Sequence, residues 1–423
     1  MTGMSSTPRV LIFSGVRGDT RRYRALHLYQ QIALLGIPAR ATHLVDPALP
    51  RLIEEADVVI VHRAPANRSL ERSLQAARQR GALLLADTDD LVFDPQVFRY
   101  IHNPEFRDPV RTQLYREEML RHRRTLELCA GALVSTEYLA GEVEKLGIPA
   151  RVHRNAASLE LWGLGRQPQE VPARVPGRFV LGYASGSPTH NRDFALLQPA
   201  LQDFLSRHPQ AELRLIGFLD LEASWERFAG QVRRYPLRPW RELPAWLAGL
   251  DLNLAPLEAD NPFSLSKSEI KWLEAALVSV PTVASRTPAF EFAIRPGENG
   301  WLAGNPAGWA AALEQALDEK QAGACAARAF ADARDKYRCE VRAVRLLQTL
   351  RSLSQSLGVS LDLPAPPEEF SPAALSAAVI RPEMEKFPSR FQEGLYHLRT
   401  RGAWTLARQV WAFGRREFRR WIR

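Results

Sequence analysis

Four charged side chains, Lys267, Glu269, Lys271 and Glu274, fall in one helix-like run that leads directly into the apolar segment VPTVAS. Ser266 and Glu269 spell S-x-x-E ahead of apolar residues, a capping-box pattern in which the two side chains would satisfy orphan backbone donors. Ile270, Leu273, Ala276 and Leu277 give a buried face at helical spacing, with Lys267 and Lys271 one turn apart. Glu274 stands two turns in, between Leu273 and Ala275, and a carboxylate buried there needs a partner. Three further stretches carry reactive residue types. In SGVRGDT (14–20), Gly15 and Gly18 would let the backbone approach a ligand. In GYASGSPTHNRDF (182–194), Ser185, Gly186 and Ser187 form a turn ahead of His190, Asn191 and Arg192. In ADTDDLVFD (86–94), Asp87, Asp89, Asp90 and Asp94 either cap a turn or form an Asp-x-Asp metal pair.

The elements that must carry these residues alternate between short apolar runs and longer amphipathic ones, as successive β-α units of a parallel sheet do. RVLIFSG, DVVIVH, ALLLAD and GALVS read as buried strands, with helices between them and an irregular, charged and aromatic insertion over 88–128. After a Pro-rich connector the pattern restarts with RFVLGYASG, followed by the strands ELRLIGFL, DLNLAPLE and VPTVAS. The architecture expected is α/β, with two doubly wound domains and a cleft at the carboxyl ends of their sheets. The expected boundaries are 8–156 for the first domain and 177–335 for the second. A helix over 336–358 would cross back to the first domain, followed by a linker over 359–389 and a basic amphipathic tail over 390–423. Trp240, Trp246 and Trp272 read as core aromatics before base-stacking ones.

The run Glu274-Ala275-Ala276 through Pro281 to Val283-Ala284-Ser285 resembles the nucleotide-sugar site of GT-B glycosyltransferases, specifically the retaining enzymes of family 4. The resemblance implies two Rossmann-like domains, the first for the acceptor and the second for the donor. It implies that Glu274 bonds the ribose hydroxyls of a nucleotide, with Lys267 and Ser268 at a helix N-terminus serving the diphosphate; the chemistry suits, since a carboxylate accepts two hydroxyl donors. His190, Arg192, Gly186 and Ser187 fall in the loop that neutralises the leaving diphosphate in that family. Gly15, Gly18, Asp19 and Arg21, with Arg22 and Arg24, become acceptor or phosphate candidates. Asp89 or Asp90 would orient the sugar or the acceptor hydroxyl. Where the larger family has a second Glu touching the transferred sugar, this chain has Ser266, so Glu269 or Asp260 replaces it or the sugar is held differently. The activity implied is transfer of a sugar from a nucleotide diphosphate to a hydroxyl of a glycan or glycolipid, with retention and with no metal or other cofactor; the rival is a noncatalytic GT-B-like scaffold attached to membrane through its basic C-terminal helix.

Composition fits a soluble chain: 423 residues, 46% hydrophobic and 24% charged. No segment approaches the ~20 apolar residues of a membrane span, which predicts a cytoplasmic protein. Cys129, Cys325 and Cys339 form no CxxC pair, so neither a disulfide framework nor zinc is expected. The first glycine loop lacks G-x-G-x-x-G, which argues against a nicotinamide or flavin enzyme. Of the formal charge of +9, nine Arg and two Glu after residue 387 contribute +7. The remainder is nearly neutral and offers nucleic acid little to bind. From residue 401 onward Trp404, Trp411, Phe418 and Ile422 line one helical face, with Arg408, Arg415, Arg419 and Arg423 among those opposite. Such a helix either lies on anionic lipid at the inner face of the plasma membrane or packs its aromatic side on the first domain.

Overall fold

The computed structural model describes residues 7–167, 177–186, 190–389, 392–396 and 398–400, without the side chains of residues 104 and 105. Of the basic amphipathic tail expected over 390–423, residues 401–423 lie outside the described residues, as does Ser187. The chain forms two compact units: one takes in residues up to Arg99, Glu105–Ala156 and everything from Cys339 onward, the other Tyr100–Pro104 and Ala157–Arg338.

The first unit is built on a six-stranded sheet of β1 (Val10–Ser14), β2 (Ala39–His43), β3 (Val58–His62), β4 (Leu83–Thr88), β5 (Gly131–Val134) and β6 (Ala150–Val152), in the order β2-β1-β3-β4-β5-β6. All its pairings are parallel. β1, β3 and β4 are buried along their whole length, which is why they read as unbroken Val/Ile/Leu runs. The helical stretch after β1 is α-helical over Gly18–Arg21, opens into a π-turn over Arg22–Leu26 and returns to α-helix over His27–Leu34. Residues 88–128 are not irregular throughout: Asp108 caps a helix over Pro109–Leu128, its side chain accepting from Val110 N. Only Met119, His122, Thr125, Leu126 and Leu128 of that helix are buried, so charge hides its apolar periodicity.

The second unit repeats the design with β7 (Phe179–Ser185), β8 (Ala211–Gly217), β9 (Val232–Tyr235), β10 (Leu252–Ala255), β11 (Thr282–Ser285) and β12 (Trp301–Ala303), ordered β12-β11-β10-β7-β8-β9 and parallel throughout. Counted within the unit this is the doubly wound order 3-2-1-4-5-6, whose direction reverses between its first and fourth strands. Here that switch lies between β7 and β10. Leu181, Tyr183, Phe194, Leu213, Leu254 and Trp309 belong to its main core. Two tryptophans named from the sequence are core residues, Trp246 at 5% and Trp272 at 1% exposure.

Candidate active site

The carboxyl ends of β7 and β10 gather one polar cluster in the second unit. Gly186, exposed, follows Ser185 at the end of β7. His190 stands at the start of the helix Asn191–Ala195, and its Nδ1 donates to Asp193 Oδ2 at 2.9 Å. Asp193 is buried, and its Oδ1 accepts from Glu258 N beyond β10 at 3.1 Å. Burial, against the Asp193 bond, lowers the His190 pKa. The ring is therefore neutral at pH 7, with Nε2 as an acceptor. Arg192 donates to His102 Nε2 at 2.6 Å and lies 4.0 Å from Glu258. Asn261 closes the loop after β10: Nδ2 donates to Tyr100 O at 3.0 Å and to Glu258 at 2.7 Å, while Oδ1 accepts from Phe263 N and Ser264 N. A cavity of about 20 Å³ remains among Tyr100, His102, His190, Asp193, Asn261 and Lys267, room for about one water.

The charged run of 266–274 is arranged differently from its sequence pattern. The helix begins at Ile270, three residues later than a capping box would place it, and runs to Ala276. Ser266 Oγ instead donates to Phe263 O at 2.7 Å, so the preceding turn takes up its hydroxyl. Glu269 occupies the N-cap position without a side-chain capping bond; at 2% exposure it accepts from Tyr337 Oη at 2.7 Å. Both the capping-box reading and the catalytic candidacy of Glu269 are corrected by this geometry, because the carboxylate is committed to the interior. Lys267 Nζ lies 4.1 Å from the centroid of the Phe263 ring. Ser268 precedes it into the helix and is half-buried.

Glu274 is half-buried, where the sequence suggested a buried carboxylate; Leu273 and Ala275 beside it are fully buried. It faces the charge of Lys271, one turn before it. Lys271, read from the sequence only as a neighbour of Lys267, is the side chain the motif undervalued. Its Nζ donates to Ala184 O near the end of β7 at 2.6 Å and lies 4.4 Å from the Tyr183 ring centroid. Burial pulls its pKa down to about 8, with Asp193 and Glu274 opposing that fall. The sequence signals were present: Lys271 is four residues after Lys267 and three before Glu274, and Asp193 is three after His190.

The first-unit candidates are engaged by the chain itself. A Cβ on Gly15 would stand 2.4 Å from Arg63 O, so this glycine admits its own neighbour β3–β4 connection and not a ligand. Gly18 has φ +74 and open space around it. Asp19 pairs with Arg22 at 3.1 Å. Arg21, at 1% exposure, donates to Met384 O at 2.7 Å, and burial pulls its pKa down to about 10. Arg24 forms a two-pronged bond to Asp87 at 3.0 and 2.5 Å and also donates to His153 O and Asn155 Oδ1. Arg21 and Arg24 are thus corrected from ligand candidates to interior ties.

Asp89 and Asp90 meet Arg63 Nη1 at 3.2 and 3.5 Å, and His62 Nε2 is 3.6 Å from Asp89. Burial works to raise the Asp89 pKa, but the His62 bond and the Arg63 charge outweigh it and hold the carboxylate well below its usual range. Asp94 caps a turn through Gln96 N. Arg63 itself has φ 40, a strained value for a non-glycine residue beside the first sheet's switch point.

Residues 178–319 match the family described as glycosyl transferases group 1. Sucrose-phosphate synthase from Thermosynechococcus elongatus is similar in structure with a TM-score of 0.57 and 14% identity, over 82% of this chain and 100% of that one. HepE (Alr3699) from Anabaena, solved with UDP-glucose, gives 0.54 and 16% over 82% and 100%. A glycosyltransferase from Rickettsia africae gives 0.56 and 12% over 82% and 98%. No curated protein sequence matches. At these identities the structural likeness establishes a shared two-domain Rossmann-like fold.

Proposed function

From the premise that the chain is a glycosyltransferase of GT-B fold, with residues 178–319 in glycosyl transferases group 1, we propose how it moves a sugar from a nucleotide diphosphate to a hydroxyl of a glycan or glycolipid. The observation that carries this reading is the convergence of Glu274, Lys271, His190 and Asp193 at the β7/β10 switch, inside the family-matched segment. Glu274 receives the ribose hydroxyls, as the family resemblance implies. Lys267, Lys271 and Arg192 supply positive charge to the diphosphate, and the site then needs no metal ion to stabilise that leaving group. The UDP-glucose held by HepE, a protein of similar fold, supports a nucleotide sugar as the donor.

In the reaction the bond from the sugar's anomeric carbon to the phosphate oxygen breaks and the nucleoside diphosphate departs with the electron pair. A new bond forms from that carbon to the acceptor oxygen, which gives up its proton. Charge grows on the phosphates as the sugar becomes cation-like, so preorganised cations stabilise the transition state more than the ground state. Neutral His190, held by Asp193, offers Nε2 to a hydroxyl of the donor sugar. Because Glu269 is committed to Tyr337, exposed Asp260 is what remains of the two carboxylates the sequence offered for the role that falls to Ser266 in this chain. Retention of configuration is carried over from the resemblance.

Incubating the full-length protein with a panel of UDP-, GDP- and TDP-sugars tests the reading. Nucleoside diphosphate should be released from at least one donor, faster when a hydroxyl acceptor is present. A protein that releases none and is thermally stabilised by none would contradict it.

A further inference from the structure

The insertion between β4 and the helix Pro109–Leu128 sends Tyr100–Pro104 into the second unit, although the residues on both sides of that stretch belong to the first. Its stems are held together. The Phe98 and Phe106 ring centroids are 4.8 Å apart, and the Tyr115 ring lies 4.9 Å from Phe106 and 6.0 Å from Phe98. Beyond this aromatic clasp Asn103 N donates to Ile101 O at 3.2 Å, which turns the tip back on itself. Tyr100–Pro104 is a short finger on a fixed base.

Where the tip lands, it takes up groups of the proposed donor cluster. Arg192 Nη1 donates to His102 Nε2 at 2.6 Å, and Glu258 Oε2 is 4.0 Å from the same nitrogen. Because a guanidinium only donates, that nitrogen is the acceptor of a neutral ring. Burial and the Arg192 charge both lower the His102 pKa and keep the ring neutral. Asn261 Nδ2 donates to Tyr100 O at 3.0 Å, and the Ile101 side chain is buried beside it. Tyr100, Ile101 and His102 wall the cavity that His190, Asp193 and Lys267 also line, and it measures only about 20 Å³. Pockets that hold small molecules run to about 300–1,000 Å³. The room that a sugar diphosphate needs beside these residues is filled by the chain's own finger.

We propose that Tyr100–Pro104 is a built-in plug of the donor site, in which His102 holds Arg192 in place of a diphosphate oxygen, and that the donor enters by displacing it. The proposal rests on the donor-site reading above and adds a self-competition to it. One guanidinium cannot serve both partners, and a charged phosphate oxygen makes the stronger bond. The finger therefore yields to the donor, at a cost in apparent affinity set by the fraction of molecules in which the site stands open.

Calorimetric titration of UDP and of inorganic pyrophosphate into full-length wild-type protein, His102→Ala and His102→Gln, with hydrogen exchange followed over residues 100–104, tests the plug. His102→Ala removes the competing acceptor and should bind UDP about tenfold more tightly, the worth of one hydrogen bond to a charged group. His102→Gln returns an acceptor to that place and should bind as the wild type does. UDP should also speed exchange over 100–104 in the wild-type protein, because the finger leaves. Weaker or unchanged UDP binding by His102→Ala, equal tightening in His102→Gln, or slower exchange over the finger on adding UDP would each overturn the proposal and leave the donor reading standing. UDP bound by none of the three proteins would contradict the donor reading, and pyrophosphate then decides the plug. Pyrophosphate binding tightened in His102→Ala supports it, and no such gain overturns it.

Discussion

Lys271 brings together burial and charge in one side chain of the proposed donor site. Its ammonium is held by Ala184 O and the Tyr183 ring, and burial pulls its pKa from 10.5 to about 8. Because the folded value lies below the unfolded one, the unfolded chain binds more protons between those limits. The residue's cost to stability is thus fully present below about pH 8 and is relieved as pH rises toward 10.5. Diphosphate binding should run the other way: raising the pH from 7 to 9 removes most of the charge, and UDP affinity should fall by up to about tenfold. Calorimetric titration at the two pH values checks this, with Lys271→Met expected to be weak and flat. A wild-type affinity that rises with pH would remove Lys271 from the donor site. The buried Arg24–Asp87 pair makes a second residue-scale prediction. Arg24→Met strands a carboxylate with no exposure and should cost about 3–5 kcal/mol in urea unfolding. Adding Asp87→Leu should return part of that loss.

Among the elements, what could be read from sequence divides along the sheets. The strands between partners, β1, β3, β4, β5, β7, β8, β10 and β11, announce themselves as apolar runs because both of their faces are covered. β2, β9 and β12, which the apolar pattern passes over, are all edge strands. ARATH in β2 and VRRY in β9 are largely half-buried or exposed, and an edge strand has no need of the continuous Val/Ile run. The site shows the same limit at finer grain. S-x-x-E signals a helix start, but one local and one tertiary contact decided otherwise: Phe263 O in the preceding turn took Ser266, and Tyr337 took Glu269. Glu274 entered as a donor candidate through its resemblance alone, whereas Asp193, in the helix after β7, and Glu258, beyond β10, are far apart in sequence and need the fold to bring them together. Glycine positions carry an element-scale prediction. At Gly15 an added Cβ would meet Arg63 O at 2.4 Å and Ala64 Cα at 2.5 Å, both backbone atoms that cannot swing aside. Gly15→Ala should therefore destabilise the first unit by about 1–3 kcal/mol, read from the urea midpoint, whereas Gly186→Ala, with open space around it, should leave that midpoint unchanged.

For the whole molecule, the charge distribution and the family match pull in separate directions. The net +7 after residue 387 is set apart from a nearly neutral body, and among the described residues no helix is long and apolar enough to cross a membrane. We propose that the Arg-rich, Trp-rich sequence of 401–423 attaches the enzyme to anionic lipid, where each basic residue contributes about 1 kcal/mol. Full-length protein should sediment with phosphatidylglycerol vesicles, and a chain ending at Thr400 should not, with its UDP affinity intact; equal sedimentation of the two would exclude the tail as an anchor. The donor assignment itself turns on Glu274. The most direct measurement is calorimetric titration of UDP, GDP and TDP into the wild-type protein and Glu274→Gln. A carboxylate that grips the ribose predicts that the preferred nucleotide binds the variant about tenfold more weakly or worse, since a charged acceptor is exchanged for a neutral amide. Affinities for all three nucleotides that are the same in both proteins would contradict it.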